Sequence, residues 1–398
     1  MLLEFSFENF GPFKEYMEFS LKPGKVSQRF ADNVIENEYG LKTSKVGVIA
    51  GENAGGKTNF IRSIKFIKDV IEGTAVAKAY KRLCYDYDDS NPQGFEIKVI
   101  IDNHIYIYKL KLDKIGLLYE ELSIKNKSSK RIDLVYFFIR EGFEAESGTM
   151  KVNFNYEQKF FDEEEITLIK TVLPKLGKRL VLNLFDDLNI NLTTGLINWF
   201  KTQLMVVCPG YIGFNLYKEY EKADEDFEIA QKESFLEIFK IIDPSIEYLE
   251  FEDPEDLFSE TLIVRKREDG TLLKNKLQHD SSGINEYFAW SIAIWKVINT
   301  NTTLFADEID RVLNVVLASK ILSYVKGQDI KGQFIFSTHN IYHLNTNDFM
   351  KEQIFFVHKS KDTLTSELYS LADFDYSYSQ PKVYELYLKG LLGAVPNE

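Results

Sequence analysis

One stretch constrains this chain more than any other. Val46-Gly47-Val48-Ile49-Ala50 is short, apolar and rich in β-branched residues, the pattern of a strand buried on both faces of a parallel sheet. It runs straight into Gly51-Glu52-Asn53-Ala54-Gly55-Gly56-Lys57-Thr58. Apolar residues then recur at Phe60, Ile61, Ile64, Ile67 and Ile71, the spacing of one helical face. The octet fits G-x-x-x-x-G-K-[ST], and it sits between a strand and a helix, where that pattern has a physical meaning. Glycines let backbone N–H groups fold around a phosphate, a lysine reaches the outer phosphates, and a hydroxyl can hold Mg²⁺. Gly51, Asn53, Ala54, Gly55, Gly56, Lys57, Thr58 and Asn59 are therefore the candidate nucleotide-binding residues. A purely structural glycine turn is the competing reading, and the flanking strand and helix disfavour it.

Three pieces further along bear on what is done with a nucleotide. Thr303-Leu304-Phe305-Ala306-Asp307-Glu308 is an apolar strand ending in two adjacent carboxylates. The first suits a Mg²⁺ ligand, beside Thr58, and the second suits orientation of an attacking water. Read blandly, the pair is an acidic start to a helix, favoured by the helix dipole. Gln333-Phe334-Ile335-Phe336-Ser337-Thr338-His339-Asn340 is another apolar strand, ending in a histidine at the edge where open α/β sheets bind ligands. His339 can hydrogen-bond a γ-phosphate there, or merely cap the next helix. Asp280-Ser281-Ser282-Gly283 precedes a helix with apolar Ile284, Tyr287, Phe288, Trp295 and Ile298. It can present hydroxyls and N–H groups to an anion, but taken alone it reads as an ordinary N-cap.

Composition narrows the class. The chain has 398 residues and a formal net charge of −13, which argues against a generally basic, nucleic-acid-coating surface. Two cysteines, Cys84 and Cys208, make neither a disulfide framework nor a zinc site. The N-terminal residues alternate as a strand does, without the basic start of an export signal. The longest apolar run, Leu134 to Ile139, is far too short to span a bilayer. A cytoplasmic protein with no membrane contact is expected. Alternation in Phe95 to Leu112 predicts a hairpin turning at Asp102-Asn103, with further strands near Glu120–Ile124 and Leu134–Arg140. A basic turn joins those two. From about Asn155 to Lys240 the pattern is helical and partly acidic, and no heptad is sustained.

In order, these four pieces resemble the ABC-type ATPase head of the SMC and RecF-like group. Gly51–Thr58 matches Walker A, Asp280–Gly283 the signature motif, Asp307-Glu308 Walker B and His339 the switch histidine. The chain further resembles AbiL-like and OLD-like AAA family ATPases of phage defence. That likeness rests on Phe5-Ser6-Phe7-Glu8-Asn9-Phe10, the strand pair around Tyr106–Leu112, and an ending with Tyr387-Leu388-Lys389-Gly390, Gly393 and Pro396. The resemblance implies an α/β fold: an ABC-type P-loop NTPase head, with a mixed N-terminal β-lobe, a parallel-sheet core and a helical insertion. Residues 1–150 would carry the P-loop and antiparallel lobe, 151–245 the insertion, and 246–398 the signature, Walker B and switch histidine.

The resemblance also implies function. ATP and Mg²⁺ would bind at Lys57, Thr58 and Asp307, with Glu308 and His339 catalytic in hydrolysis to ADP and phosphate. Ser281, Ser282 and Gly283 would complete a partner protomer's site, giving an ATP-dependent homodimer or higher homo-oligomer. The stretch beyond Asn340 is expected to be too short for the nuclease domain of OLD-like proteins. A separate effector, nuclease or toxin, would then do the damage in abortive infection. The alternative is a DNA-repair or SMC-like ATPase binding DNA across its heads, which the acidic charge does not favour. Departures from the pattern are Ala54 in the P-loop, Val312-Leu313-Asn314-Val315 after the Walker B carboxylates, Asp280 in the signature, and no clear Q-loop glutamine beyond Gln93.

Overall fold

The computed structural model describes residues 1–79, 90–126, 131–144, 147–208, 223–253, 256–258, 260–311, 313–327, 329–378 and 382–394. The Asp86–Asp89 run, Cys84, Val312, Pro396 and most of the basic turn lie outside these.

Six strands form the central sheet: β5 (Val46–Gly51), β11 (Leu204–Val207), β15 (Thr303–Ala306), β16 (Gln333–Ser337), β17 (Ile354–Lys359) and β18 (Ser366–Ser370). Their order is β11-β15-β16-β5-β17-β18, parallel except for β18. Side chains of a strand alternate between faces, and the cores follow that alternation. Val46, Val48, Ala50, Leu304, Phe334, Phe336, Ile354 and Phe356 belong to one core; Ile49, Phe305, Ile335, Phe355 and Val357 belong to the other. Both faces are covered, which is why these strands read as continuous apolar runs.

On one face lie helix α1 (Lys57–Glu72) and a seven-stranded antiparallel sheet. That sheet runs β10-β9-β8-β7-β6-β1-β2, from β1 (Leu2–Glu8), β2 (Met17–Ser20), β6 (Gln93–Ile101), β7 (His104–Leu112), β8 (Leu117–Asn126), β9 (Asp133–Phe143) and β10 (Met150–Tyr156), while β3 (Val34–Glu36) and β4 (Lys42–Ser44) pair with each other. Phe60, Ile61, Ile64, Ile67 and Ile71 of α1 are all fully buried, on the face that their spacing predicts. The β6–β7 turn falls at Asp102-Asn103, with Asp102 at φ 49°. Phe19 of β2 ties the layers together, 4.4 Å from the Phe355 ring and 5.2 Å from that of Phe60.

The stretch 151–245 is not one helical body. Its first residues, through Tyr156, complete β10 on the antiparallel sheet. Helices α2 (Glu163–Val172), α3 (Val181–Asp187) and α4 (Asn191–Asn198) then join the same core as that sheet. The chain next enters the central sheet as β11, because the apolar run Leu204-Met205-Val206-Val207 can pair with β15. Helices α5 (Ala223–Ala230) and α6 (Glu233–Phe239) pack instead on the opposite face, with α7 (Ser282–Asn299). Part of the acidic character is used internally. Asp162 and Glu165 form a capping box at α2, and Asp226 pairs with Lys296 at 2.8 Å.

A small sheet of β12 (Ile246–Phe251), β13 (Thr261–Lys266) and β14 (Leu272–Lys276) precedes α7. β12 and β13 pair antiparallel from Ile246–Arg265 to Phe251–Thr261; β14 lacks an alternating pattern and is exposed from Leu272 to Asn275. Helices α8 (Val315–Gly327) and α9 (Val383–Leu388) complete the second core. Among the described residues, no helix is long and apolar enough to cross a membrane.

Candidate functional site

The parallel register brings three strand ends to one level. Ala306 lies beside Phe336, Ser337 beside Ile49, and Gly51 beside Val357. Everything that follows those positions in the chain, the octet after β5, Asp307-Glu308 after β15 and Thr338-His339 after β16, therefore emerges at the carboxyl edge of one sheet. Such an edge is where open α/β sheets bind ligands.

The octet wraps the start of α1 with backbone angles that only its composition permits easily. Gly51 has φ 157° and Gly56 φ 122°; a Cβ on Gly51 would lie 2.2 Å from the Val357 carbonyl oxygen. At Gly56 a Cβ would meet the Ser366 hydroxyl at 2.9 Å. Ala54, where a glycine is usual, takes φ 61°, a left-handed angle uncommon for a residue that carries a Cβ. The loop is braced from β17 and β18. Ser366 Oγ donates to the Gly55 carbonyl at 2.5 Å, and the Lys359 N–H donates to Glu52 Oε1 at 3.0 Å. His358 Nδ1 lies 3.1 Å from the same Glu52 oxygen.

Lys57 is buried and donates through Nζ to the carbonyls of Gly51 (2.8 Å) and Glu52 (3.0 Å). Burial pushes its pKa below the usual lysine range, while Asp307, Glu308, Glu52 and Asp310 pull it back up. Those four carboxylates thus share the lysine's electrostatic neighbourhood. His339 is exposed, and its pKa is lowered by desolvation first and then by Lys57, against the pull of Glu308, Asp310 and Asp307. Lys57, Asp307, Glu308 and His339, far apart in the chain, are mutually within electrostatic reach.

Asp307 is buried, its Oδ1 accepting from Ser337 Oγ at 2.6 Å and its Oδ2 3.6 Å from the thiol of Cys208. The same Ser337 oxygen accepts from the Glu308 N–H at 2.7 Å. Glu308 takes φ 51°, an unusual angle for a residue other than glycine. Asp310 accepts through Oδ2 from Thr338 Oγ1 (2.7 Å) and from the His339 N–H (2.6 Å). Thr338 Oγ1 also lies 2.9 Å from Nδ1 of the buried His343. Asn314 Oδ1 accepts from the Leu317 N–H at 2.9 Å, so this departure from the family pattern starts α8 as a cap.

The candidate signature residues lie apart. Ser281 is the N-cap of α7, accepting from the Ile284 N–H at 3.3 Å, and Asp280 pairs with Arg265 at 2.7 Å. No hydrogen bond joins Ser281, Ser282 or Gly283 to the octet. Gln93 is buried in β6 and donates to the Asn9 carbonyl at 2.7 Å. Asp373 and Asp375 are exposed, and Asp373 ends the single helical turn Leu371–Asp373, accepting from the Ser370 N–H at 2.8 Å.

Sequence reasoning overlooked Ser337, Asp310, Thr338, His343 and Ser366. Ser337, Thr338 and Asp310 sit within two residues of motif residues, and a polar residue at the end of an apolar strand is the signal for the first two; Asp310 and His343 lie in short helical turns without such a signal. Ser366 had none, since it reaches the octet across 311 positions.

No family model matches the sequence, and no curated protein matches it. Solved structures do. An SMC head bound to the C-terminal winged-helix domain of ScpA is 14% identical, with a TM-score of 0.50, over 93% of this chain and 97% of that one. The SMC head domain from Thermotoga maritima is 12% identical with a TM-score of 0.40, over 93% and 98%. A Pyrococcus furiosus SMC head with an extended coiled coil, bound to the C-terminal domain of ScpA, is 13% identical with a TM-score of 0.43, over 93% and 96%. The chain has the mixed α/β fold of an SMC head, the ABC-type ATPase fold.

Proposed function

We propose that this protein binds ATP at the β5–α1 turn and hydrolyses it to ADP and phosphate. The observation that carries the reading is the convergence of Lys57, Asp307, Glu308 and His339 at one sheet edge. In this reading Lys57 exchanges its two carbonyl partners for phosphate oxygens, and the N–H groups of the octet and of the α1 N-terminus cradle the rest. The Thr58 hydroxyl and the Asp307 carboxylate form an all-oxygen donor set suited to Mg²⁺. Mg²⁺ would neutralise phosphate charge when bound there. Glu308 orients the attacking water, and His339 offers a hydrogen bond to the γ-phosphate. Phosphate release by the wild type and by Glu308→Gln tests this: equal rates would sink the assigned role.

Two heads would close on nucleotide, with Ser281–Gly283 of each completing the other's site. Supporting this, Ser281 and Ser282 are exposed at a helix N-terminus and engaged only locally. Ser281→Arg should then block ATP-dependent dimerisation while leaving nucleotide binding intact. Residues 1–150 and 246–398 would build the head, with 151–245 spread over both of its faces. The role in phage defence, with a separate nuclease or toxin as effector, rests on the resemblance to AbiL-like and OLD-like ATPases. Phage plating on cells carrying the wild type with its neighbouring gene, or Lys57→Ala with it, tests that role. Hydrolysis stimulated by DNA and lost steeply with salt would point instead to a DNA-binding head.

A further inference from the structure

Beyond Ala306 and Ser337 the paired strands β15 and β16 end, and their ladder no longer holds the two chains together. Yet the two groups assigned to hydrolysis lie past those ends, Glu308 on one extension and His339 on the other, each one residue beyond the last backbone bond to a flanking strand, Asp307 N–H to the Val207 carbonyl and Thr338 N–H to the Ile49 carbonyl. Something other than the sheet must set the distance between them.

We propose that Asp310 is the positioning residue that does so: its carboxylate clasps the turn carrying Glu308 to the turn carrying His339. The inference rests on the ATPase reading above. Asp310 lies in the single helical turn Ile309–Arg311, two residues after Glu308. Its Oδ2 receives both the Thr338 hydroxyl and the His339 N–H, at 2.7 and 2.6 Å. Both distances are those of charge-assisted hydrogen bonds. Thr338 has one proton and gives it to Asp310. Its oxygen therefore accepts from the Asn340 N–H at 2.9 Å and from Nδ1–H of His343, also at 2.9 Å. That assignment fixes the tautomer of His343, which is buried and has its pKa lowered by desolvation. Oδ1 of Asp310 is buried with no hydrogen-bond partner among the described residues, 3.9 Å from His343 Nδ1. Ser337 forms a parallel rung closer to the sheet, linking Asp307 and the Glu308 N–H. Glu308, at its left-handed angle, stands in the chain between the two rungs.

A side chain that works through others should change the rate and not the affinity. Asp310→Ala should slow ATP hydrolysis by about 10- to 100-fold, the loss typical of slight misplacement of reacting groups. Affinity for a fluorescent ATP analogue should shift less than about threefold. In Asp310→Asn the amide oxygen can still accept both hydrogen bonds, so most of the rate should return. Labelling with ¹⁵N-histidine gives five backbone signals from the five histidines, and His339→Gln identifies the one of interest. That signal should move upfield in Asp310→Ala and much less in Asp310→Asn, whether or not ATP is hydrolysed. An unmoved His339 signal overturns the clasp, as does a full rate in Asp310→Ala or an Asn variant as slow as Ala. A wild-type chain that hydrolyses nothing, with the His339 signal still shifted, overturns the ATPase reading and removes the role of Asp310 with it.

Discussion

Two buried carboxylates, one in each half of the molecule, show opposite uses of the same chemistry. Glu120, in the antiparallel lobe, is fully buried and accepts four hydrogen bonds. They come from Tyr108 Oη (3.0 Å), Tyr136 Oη (2.8 Å) and the N–H groups of Val181 (2.7 Å) and Leu182 (2.8 Å). It closes the start of α3 against β7, β8 and β9, and its capacity is filled. Asp307, equally buried at the carboxyl edge of the parallel sheet, accepts among the described residues one strong hydrogen bond, from Ser337, and faces a weakly donating thiol with its other oxygen. Lys57 lies within its field. A filled carboxylate holds a fold together. A part-filled one beside a lysine keeps capacity for a ligand, since buried polar groups otherwise find partners.

The contrast can be broken in order of effect. The largest is expected at Glu308→Gln, which should lower the hydrolysis rate by about 10²- to 10⁴-fold. Phosphate release under saturating ATP measures this, and the melting temperature should stay near that of the wild type. Lys57→Ala should weaken nucleotide binding by roughly 10- to 100-fold, the value of lost charge-assisted hydrogen bonds. Titration of a fluorescent ATP analogue reads it, and an unchanged affinity would mean that the open end of the sheet is not a phosphate site.

The closed end should answer in stability alone. Glu120→Gln places an amide NH₂ among four donors and leaves one buried donor without an acceptor, costing about 1–3 kcal/mol. Denaturant unfolding measures that loss, and hydrolysis per folded molecule should not change. The pH dependence separates the regions further. Burial pushes the Glu120 pKa up to about 7, against the hydrogen bonds that pull it down. A carboxyl whose folded pKa is raised stabilises the fold fully below its unfolded value, and that contribution fades as pH climbs through about 7. The wild type should therefore lose more stability than Glu120→Gln between pH 5 and pH 8, as ~3-unit melting series would show. Parallel curves would contradict the raised pKa. The smallest effect is expected at Ser281→Ala, about 1 kcal/mol from the lost cap of α7. If ATP-dependent dimers form normally in that variant and in Ser281→Arg, Ser281 is a cap and nothing more.

Parts of this arrangement are legible in the sequence alone. The apolar run before Gly51, the octet and the face of α1 each express a local rule: burial on both sides, backbone freedom at glycine, a helical period. The hairpin at Asp102-Asn103 and the cap at Ser281 are local in the same sense. β14 is not legible, because Leu272-Leu273-Lys274-Asn275 is exposed and the strand carries no alternating pattern. Nor is the division of 151–245 between two cores. It depends on where β11 pairs, and a four-residue apolar run does not name its partner strand.

The sequence by itself determined the pieces: a loop shaped for an anion, two strands that end in carboxylates or a histidine, and a helix with a polar start. Only the tertiary structure decided their arrangement, because the contacts that set it cross 28 positions from Asp310 to Thr338, 61 from Glu120 to Val181 and 311 from Gly55 to Ser366. Parallel register places three strand ends side by side, and packing decides which buried carboxylate finds four donors and which retains room. Neither choice is written in any local stretch of chain.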